Sequence, residues 1–439
     1  MVQRAVRIGL IGFGTIGTGV VNLLQRQRSA LRDRLGVTLD LVRVADIDTK
    51  RDRGVRLARG VLVPDAAKVL DDPSIDIVIE LMGGTGAARR FVLEAIAKNK
   101  DVVTANKALL ALHGDEIFTA TERAGAQLGF EASVGGGIPI IRTLRDGLVG
   151  DRNVAVHGIV NGTSNYILSR MTNDGGEFGE VLKEAQADGL AEADPTYDVD
   201  GIDAAHKLTL LIQLAFGRRV KFADIATEGI RHITQADIAF AREFGYVVKS
   251  LAIAKVSGEQ VEAHVYPTMV PNRHLLAKVD GALNAIAVRG EALGPSMYLG
   301  YGAGMMPTAT AVLADLVELA RNRVQGCRDR VPPLGYPARL LRRARVKPLD
   351  DLECEYYLRF MVVDRPGVMA RIAGLLGKAG ISIASVIQKG REEGATVPIV
   401  IRTHHAKERA LRRAVRAIDQ LTMVRAKAVF IRIEETLGP

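Results

Sequence analysis

The sequence predicts an α/β chain of several domains: an N-terminal parallel, doubly wound sheet, a central α+β domain and a C-terminal βαββαβ module. Three observations predict it. Residues 6–11 form a buried apolar strand that runs straight into Gly12, Gly14 and Gly17 and then into an apolar helical run. Strands at 39–45, 75–80 and 101–104 alternate with helical stretches, which is the order of a parallel sheet with crossover helices. After an Arg-rich stretch holding Pro332, Pro333, Pro337 and Pro348, two further βαβ-like halves follow. At 439 residues the chain is longer than one growing core supports. The expected divisions are 1–136, 137–306, a returning helix at 307–325, a linker at 326–353 and a module at 354–436.

In the first turn, Gly12 permits a tight bend, Gly14 lets backbone approach a pyrophosphate, and Gly17 lets helix and strand pack closely. Phe13, Thr15 and Ile16 complete the turn and open the helix, whose N-terminal amides attract phosphate charge. A purely structural glycine turn is the alternative. The strand at 39–45 ends at Asp46, an acid placed to bond a ribose 2′-hydroxyl, although the spacing from the glycines is longer than usual. Lys50, Arg51 and Arg53 follow and suit a 2′-phosphate, so the residues point to both NAD and NADP. The strand at 101–104 ends in Thr104, and Lys107 lies just beyond its carboxyl end, where open α/β sheets bind ligands. An ordinary lysine at a helix start is the alternative there.

Residues 130–139 leave another strand with Glu131 and three successive glycines, an arrangement that converges backbone oxygens near an acid. A monovalent cation and a domain-crossing hinge both fit. The strand at 153–160 ends in Asn161, Gly162 and Thr163 at a helix start, where free amides and a hydroxyl suit a carboxylate. Residues 192–200 read as loop and 203–216 as one helix. Asp203 and Lys207, four apart, share the face that continues through Leu210, Leu211 and Leu214, so the pair points inward. A solvated surface pair worth about 0.2–0.5 kcal/mol is the bland alternative.

Taken in order, the glycine fingerprint, Thr104 to Lys107, Glu131 to Pro139, Asn161 to Tyr166 and Glu192 to Lys207 closely resemble homoserine dehydrogenase, over residues 5–325. The resemblance implies a Rossmann-type first domain, a substrate and dimerisation domain after it, and reversible NAD(P)H-dependent reduction of L-aspartate 4-semialdehyde to L-homoserine. Its place is the pathway to threonine, methionine and isoleucine. It implies Lys207 as proton donor, Asp203 beside the reacting oxygen and Lys107 near nicotinamide and substrate. Glu192 would hold the substrate amino group, with Asp198, Gly162 and Thr163 also at the substrate. Gly189 and Gly302 would join the cofactor contacts. A Na+ site would fall on Glu131, Val134, Gly136 and Ile138, the last three through backbone oxygens. Tyr197 departs from the pattern, standing where some members carry Asp.

Hydride arriving at an aldehyde carbon builds charge on its oxygen, so a nearby ammonium both stabilises that charge and supplies the proton. A semialdehyde dehydrogenase, the enzymatic competitor, needs a cysteine nucleophile. The chain has none before Cys327. A sensor binding NAD(P) and an amino acid without turnover is the alternative from another class, and an inward acid and lysine pair argues against it.

The C-terminal strand–helix order with Asp364-Arg-Pro-Gly367 resembles an ACT domain over residues 355–434. That implies amino-acid sensing, threonine feedback in such bacterial enzymes, Asp364 and Gly367 as effector contacts, and pairing across subunits. A dimerisation module without ligand is the alternative. The net charge of +9 sits largely in two Arg-rich stretches without interleaved aromatics, so no nucleic-acid partner is expected. No apolar run reaches the ~20 residues of a bilayer span, and no secretory leader is read. Two cysteines without metal-type spacing fit a reducing cytoplasm. A homodimer or homotetramer is expected.

Overall fold

The computed structural model describes residues 5–328, 330–389 and 395–436. By contact the chain divides into two units, each assembled from three separated stretches. The first comprises Met1–Gly162, Asp203–Ile225 and Leu283–Ala344, the second Thr163–Ile202, Ala226–Ala282 and Arg345–Pro439.

The first unit contains the expected parallel sheet. Its six strands lie in the order Leu62–Val63, Thr38–Ala45, Ala5–Ile11, Ile77–Glu80, Asp101–Thr104 and Leu128–Gly129, every pairing parallel. Ile8 and Leu10 of the opening strand share a core with Val20, Val21 and Leu24 of helix Thr15–Arg26. The same core receives Ala309, Val312, Leu313 and Leu316 from helix Met305–Gln325, so a segment almost three hundred residues away closes this sheet. Three antiparallel strands, Asn153–Ile159, Leu283–Gly290 and Gly294–Tyr301, belong to the same unit with Leu283–Gly290 in the middle.

Helix Ile202–Phe216 is rich in Ala and Leu, strong helix formers, and ends where Gly217 turns to φ +60°. Every residue from Asp203 to Ala215 is buried, so it lacks the wet face that an amphipathic helix would keep.

In the second unit, strands Tyr246–Ser257 and Gln260–Pro271 form a long hairpin. Strand Val429–Ile433 runs parallel to the second of these, with Thr268 opposite Arg432. Its other edge pairs antiparallel with Glu353–Val363, and Thr396–Thr403 and Ile383–Gln388 follow. With helices Val368–Lys378 and Glu408–Asp419 this is the expected βαββαβ module. Alternate residues of its first strand serve two cores. Tyr356, Leu358, Phe360 and Val362 meet the two helices, whereas Tyr357 meets a core shared with Ile167, Val199, Ile230 and Tyr246.

Two expectations change. The described residues of the 326–353 stretch pack rather than hang loose: Leu334, Ala338 and Leu341 are buried, and two short strands pair within their units, Arg342–Arg343 with Arg218–Arg219 and Arg345–Val346 with Gln260 and Val261. Apolar anchors spaced among Arg and Pro escape a periodicity search. The 192–200 loop also contains one helical turn, Thr196–Val199, which starts directly after Pro195.

Candidate active site

Lys107 is the first residue of helix Lys107–Arg123, because the Asn106 side chain accepts from the Leu109 amide and caps that helix. Its Nζ forms an ion pair with Asp203 Oδ1 at 2.8 Å. The other oxygen of Asp203, Oδ2, accepts from Lys207 Nζ at 2.7 Å and from Asn161 Nδ2 at 2.9 Å. Lys207 also donates to the Val160 carbonyl at 2.6 Å. One carboxylate therefore bridges two ammonium groups, and a strand end fixes the second of them. The side chains of Asp203 and Lys207 are only 4% and 8% exposed, which rules out the solvated surface pair. Burial alone would raise the Asp203 pKa; the charges of Lys207 and Lys107 outweigh it and hold the carboxyl below the usual carboxylate range. Two ammonium groups against one carboxylate leave one net positive charge, the sign that a developing alkoxide needs. His206 is buried beside this cluster, stacked on Phe222 at 4.2 Å, and burial lowers its pKa.

The sequence places Asn161 at a strand end suited to a carboxylate, and the carboxylate it meets within the protein is that of Asp203.

The nucleotide cleft, of about 710 Å³, is lined by Gly12, Gly14, Asp46, Arg51 and Arg53 among others. Gly12 has φ +96°, and a Cβ there would meet the Leu81 backbone at 2.6 Å, so both conformation and space demand glycine. At Gly14 a Cβ would meet nothing within 4 Å, which is the open approach that a pyrophosphate uses. Thr15 is exposed at the helix start, with Ile16 half-buried behind it. The residues thus fit a dinucleotide at the glycine turn.

Several expected contacts have other partners. Asp46 accepts from the Phe13 amide at 2.7 Å and the Asp48 amide at 2.8 Å and pairs with Arg53 at 3.2 Å. The acid expected at a ribose therefore braces the glycine turn first. Phe13 is buried, with the Arg53 guanidinium 4.7 Å from its ring centre, so only its backbone faces the turn. Thr104 donates to the buried Glu80 carboxyl at 2.7 Å and accepts from the Asn106 amide, so its hydroxyl stands behind the site and not in it. Lys50 is exposed and away from the cleft lining, whereas Arg51 lines it.

For the cation loop, Glu131 is buried and its two carboxylate oxygens accept from the Ile141 and Arg142 amides at 2.7 and 3.0 Å. Burial raises its pKa. The expected anionic ligand is thus turned toward a helix start. Gly136, at φ +55°, lies against Gly302, whose carbonyl oxygen would be 2.4 Å from a Cβ on Gly136. Val134 and Ile138 are buried beside them. The Ile138 carbonyl, one of the expected backbone ligands, accepts from the Ile140 amide at 2.8 Å. Asp315 was missed by the sequence: it accepts the Glu131 amide at 2.7 Å and anchors the loop to helix Met305–Gln325.

In the second unit Glu192 is exposed, and Tyr197 is 48% exposed. Asp198 is half-buried; it accepts from Thr163 Oγ1 at 3.3 Å, and its backbone oxygen accepts from Ser164 at 3.0 Å. Gly162 opens helix Gly162–Asp174. Gly189 follows helix Phe178–Ala187 at φ +71°. Gly367, at φ +88°, precedes helix Val368–Lys378, and the Asp364 amide donates to the Ala395 carbonyl. Burial pushes the Cys354 thiol up to about 12, which makes it a poor nucleophile.

The chain is similar to known proteins along nearly its whole length. A family model described as homoserine dehydrogenase matches residues 139–317, one described as homoserine dehydrogenase, NAD binding domain, matches 12–131, and an ACT domain model matches 356–422. The homoserine dehydrogenase of Neisseria gonorrhoeae is 41% identical over 432 residues, 98% of this chain and 99% of its own. That of Pseudomonas aeruginosa is 42% identical over 436 residues, 99% of this chain and 100% of its own. A solved homoserine dehydrogenase from Thiobacillus denitrificans superposes with TM-score 0.93 at 44% identity, covering 99% of each chain.

Proposed function

Because the chain belongs to the homoserine dehydrogenase family, and is thereby an NAD(P)-dependent oxidoreductase, we propose that Lys107, Asp203 and Lys207 deliver the proton as L-aspartate 4-semialdehyde is reduced to L-homoserine. The observation that carries this reading is Asp203 bridging two lysines inside the protein. A bound nicotinamide supplies the hydride. Lys207 donates the proton to the oxygen as charge grows there, and takes it back in the reverse direction. Asp203, held ionised, orients Lys207, and Lys107 adds the second positive charge toward that oxygen. Asn161 and the Val160 carbonyl limit how far the pair can rotate.

The finer assignments rest on the resemblance together with local chemistry. Glu192 anchors the substrate amino group, and Asp198, Gly162 and Thr163 shape its site. Both NADH and NADPH serve, with Arg51 meeting the 2′-phosphate of the latter; its place in the cleft lining supports this. Na+ occupies the Glu131–Ile138 loop. Threonine acts through the C-terminal module at Asp364 and Gly367. The assembly is a homodimer or homotetramer in the cytoplasm; among the described residues no helix is long and apolar enough to cross a membrane.

The test follows NADPH absorbance on addition of aspartate semialdehyde. Oxidation is expected; none at any workable pH would overturn the assignment. Lys207→Ala should lower turnover by roughly 10² or more, with little loss of cofactor affinity. An unchanged turnover removes Lys207 from the mechanism.

A further inference from the structure

The C-terminal module and the substrate loop are joined inside the second unit by a buried charge cluster that the reaction itself does not use. Its centre is Arg432 on strand Val429–Ile433, 2% exposed. Arg432 donates to Glu228 Oε2 and Oε1 at 2.8 and 2.9 Å, and to Glu408 Oε2 and Oε1 at 2.7 and 2.5 Å. Arg412 reaches both acids, Glu228 at 2.9 Å and Glu408 at 2.6 Å. The Arg432 guanidinium also lies 4.1 Å from the ring centre of Tyr266. Bidentate pairs of this kind are directional as well as strong, so they fix where Glu228 sits.

Glu228 opens a segment laid directly on the substrate loop. Gly229 has no room for a side chain, since a Cβ would lie 2.6 Å from the Val199 carbonyl and 2.8 Å from the Asp200 Cα. The Ile230 amide donates to that Val199 carbonyl at 2.9 Å. Arg231 donates to Asp200 Oδ1 at 2.6 Å and to Thr196 at 3.1 Å. Asp198, in the middle of this turn, is held on its other side by Thr163 and Ser164. Val199 and Ile230 share one core with Tyr357, Val400, Ile431 and Ile433 of the C-terminal module.

We propose that Arg432 and Glu228 are positioning residues for the substrate: the C-terminal module, through this clasp and the Gly229–Arg231 contact, sets the conformation of the Thr196–Gly201 turn and so the affinity for the amino-acid substrate. The inference rests on the assignment of Asp198 and its neighbours to substrate binding. Opening the clasp loosens the loop without touching the Lys107–Asp203–Lys207 chemistry. Such a loss raises KM and spares kcat.

Glu228→Gln keeps the shape of the side chain, weakens the pairing with Arg432, and leaves Arg432 its partner Glu408. In the full-length protein, KM for homoserine should rise about tenfold, with kcat and the KM for NADP+ within twofold of the parent. Hydrogen exchange of the Ile230 amide and of residues 198–201 should quicken by a similar factor. Arg412→Gln, at a half-exposed arm of the cluster, should shift the same quantities in the same direction by less, and serves if Glu228→Gln does not fold. An unchanged KM for homoserine overturns the proposal, even if exchange quickens. A parallel fall in kcat or rise in cofactor KM signals general damage and overturns it equally. A parent protein inactive toward homoserine instead overturns the substrate assignment on which the proposal rests.

Discussion

Asp203 illustrates why a buried charge can be kept. An isolated carboxylate in that environment would protonate, yet here it touches two ammonium groups and a side-chain amide, and its charged form is the favoured one. Asp203→Asn would leave two ammonium groups facing each other without compensation. The expected cost is about 3–5 kcal/mol of stability, read from denaturant unfolding, together with a turnover loss of the order of 10². A variant as stable and as active as the parent would contradict the bridging role. The pH dependence follows from the direction of the shift. A depressed carboxyl binds its proton later in the folded state than in the unfolded chain. Its stabilisation is therefore complete above the ordinary carboxylate pKa and disappears as pH falls toward the depressed folded value. Acid titration of the parent against Asp203→Asn should show the gap closing only below about pH 4.

At the scale of elements, two contacts decide whether the cofactor side is assembled. Helix Thr15–Arg26 can lie against its strand only because Gly17 lacks a side chain: a Cβ would be 2.3 Å from the Gly12 carbonyl oxygen. Gly17→Ala should cost about 1–3 kcal/mol through overpacking and weaken dinucleotide binding, measurable by melting and by fluorescence titration. Helix Met305–Gln325 contributes Asp315, whose carboxyl burial pushes up to about 8, with Glu131 adding to the shift. Between about pH 4 and 8 the folded state holds a proton that the unfolded chain has released. Stability from this group therefore falls as pH rises through that window and levels off above it. Melting temperatures of the parent and Asp315→Asn, compared from pH 5 to 9, should converge on different slopes below 8 and the same slope above. Parallel curves throughout would remove Asp315 as the titrating anchor.

At the scale of the molecule, the C-terminal module is more than an appendage. Tyr357, Val400, Ile431 and Ile433 complete a core that also holds Ile167, Val199, Ile230, Ile238 and Met269. A chain ending before residue 353 would expose that core and lose the strand that pairs with Gln260–Pro271. It should aggregate or melt far below the full-length protein, and a truncated form with the parent's melting temperature would show the core to be dispensable.

Local pattern was enough for the strand–turn–helix unit, the alternating parallel strands and the βαββαβ order, because each depends on residues close together in the chain. The order of motifs likewise identified the family and the inward pair at Asp203 and Lys207. Local pattern was silent wherever partners are distant in sequence. Asp203 meets Lys107 across almost a hundred residues, Glu131 is held by Asp315, and Arg432 closes on Glu228. The same distance hid the pairing of Asp46 with Arg53 and of Thr104 with Glu80, partners that these two residues take within the protein. Local pattern in the chain thus set which groups were available and on which elements they sit. Which of them meet depended on the three-dimensional fold, because a charge or hydroxyl removed from water must take whatever partner folding brings within hydrogen-bond reach.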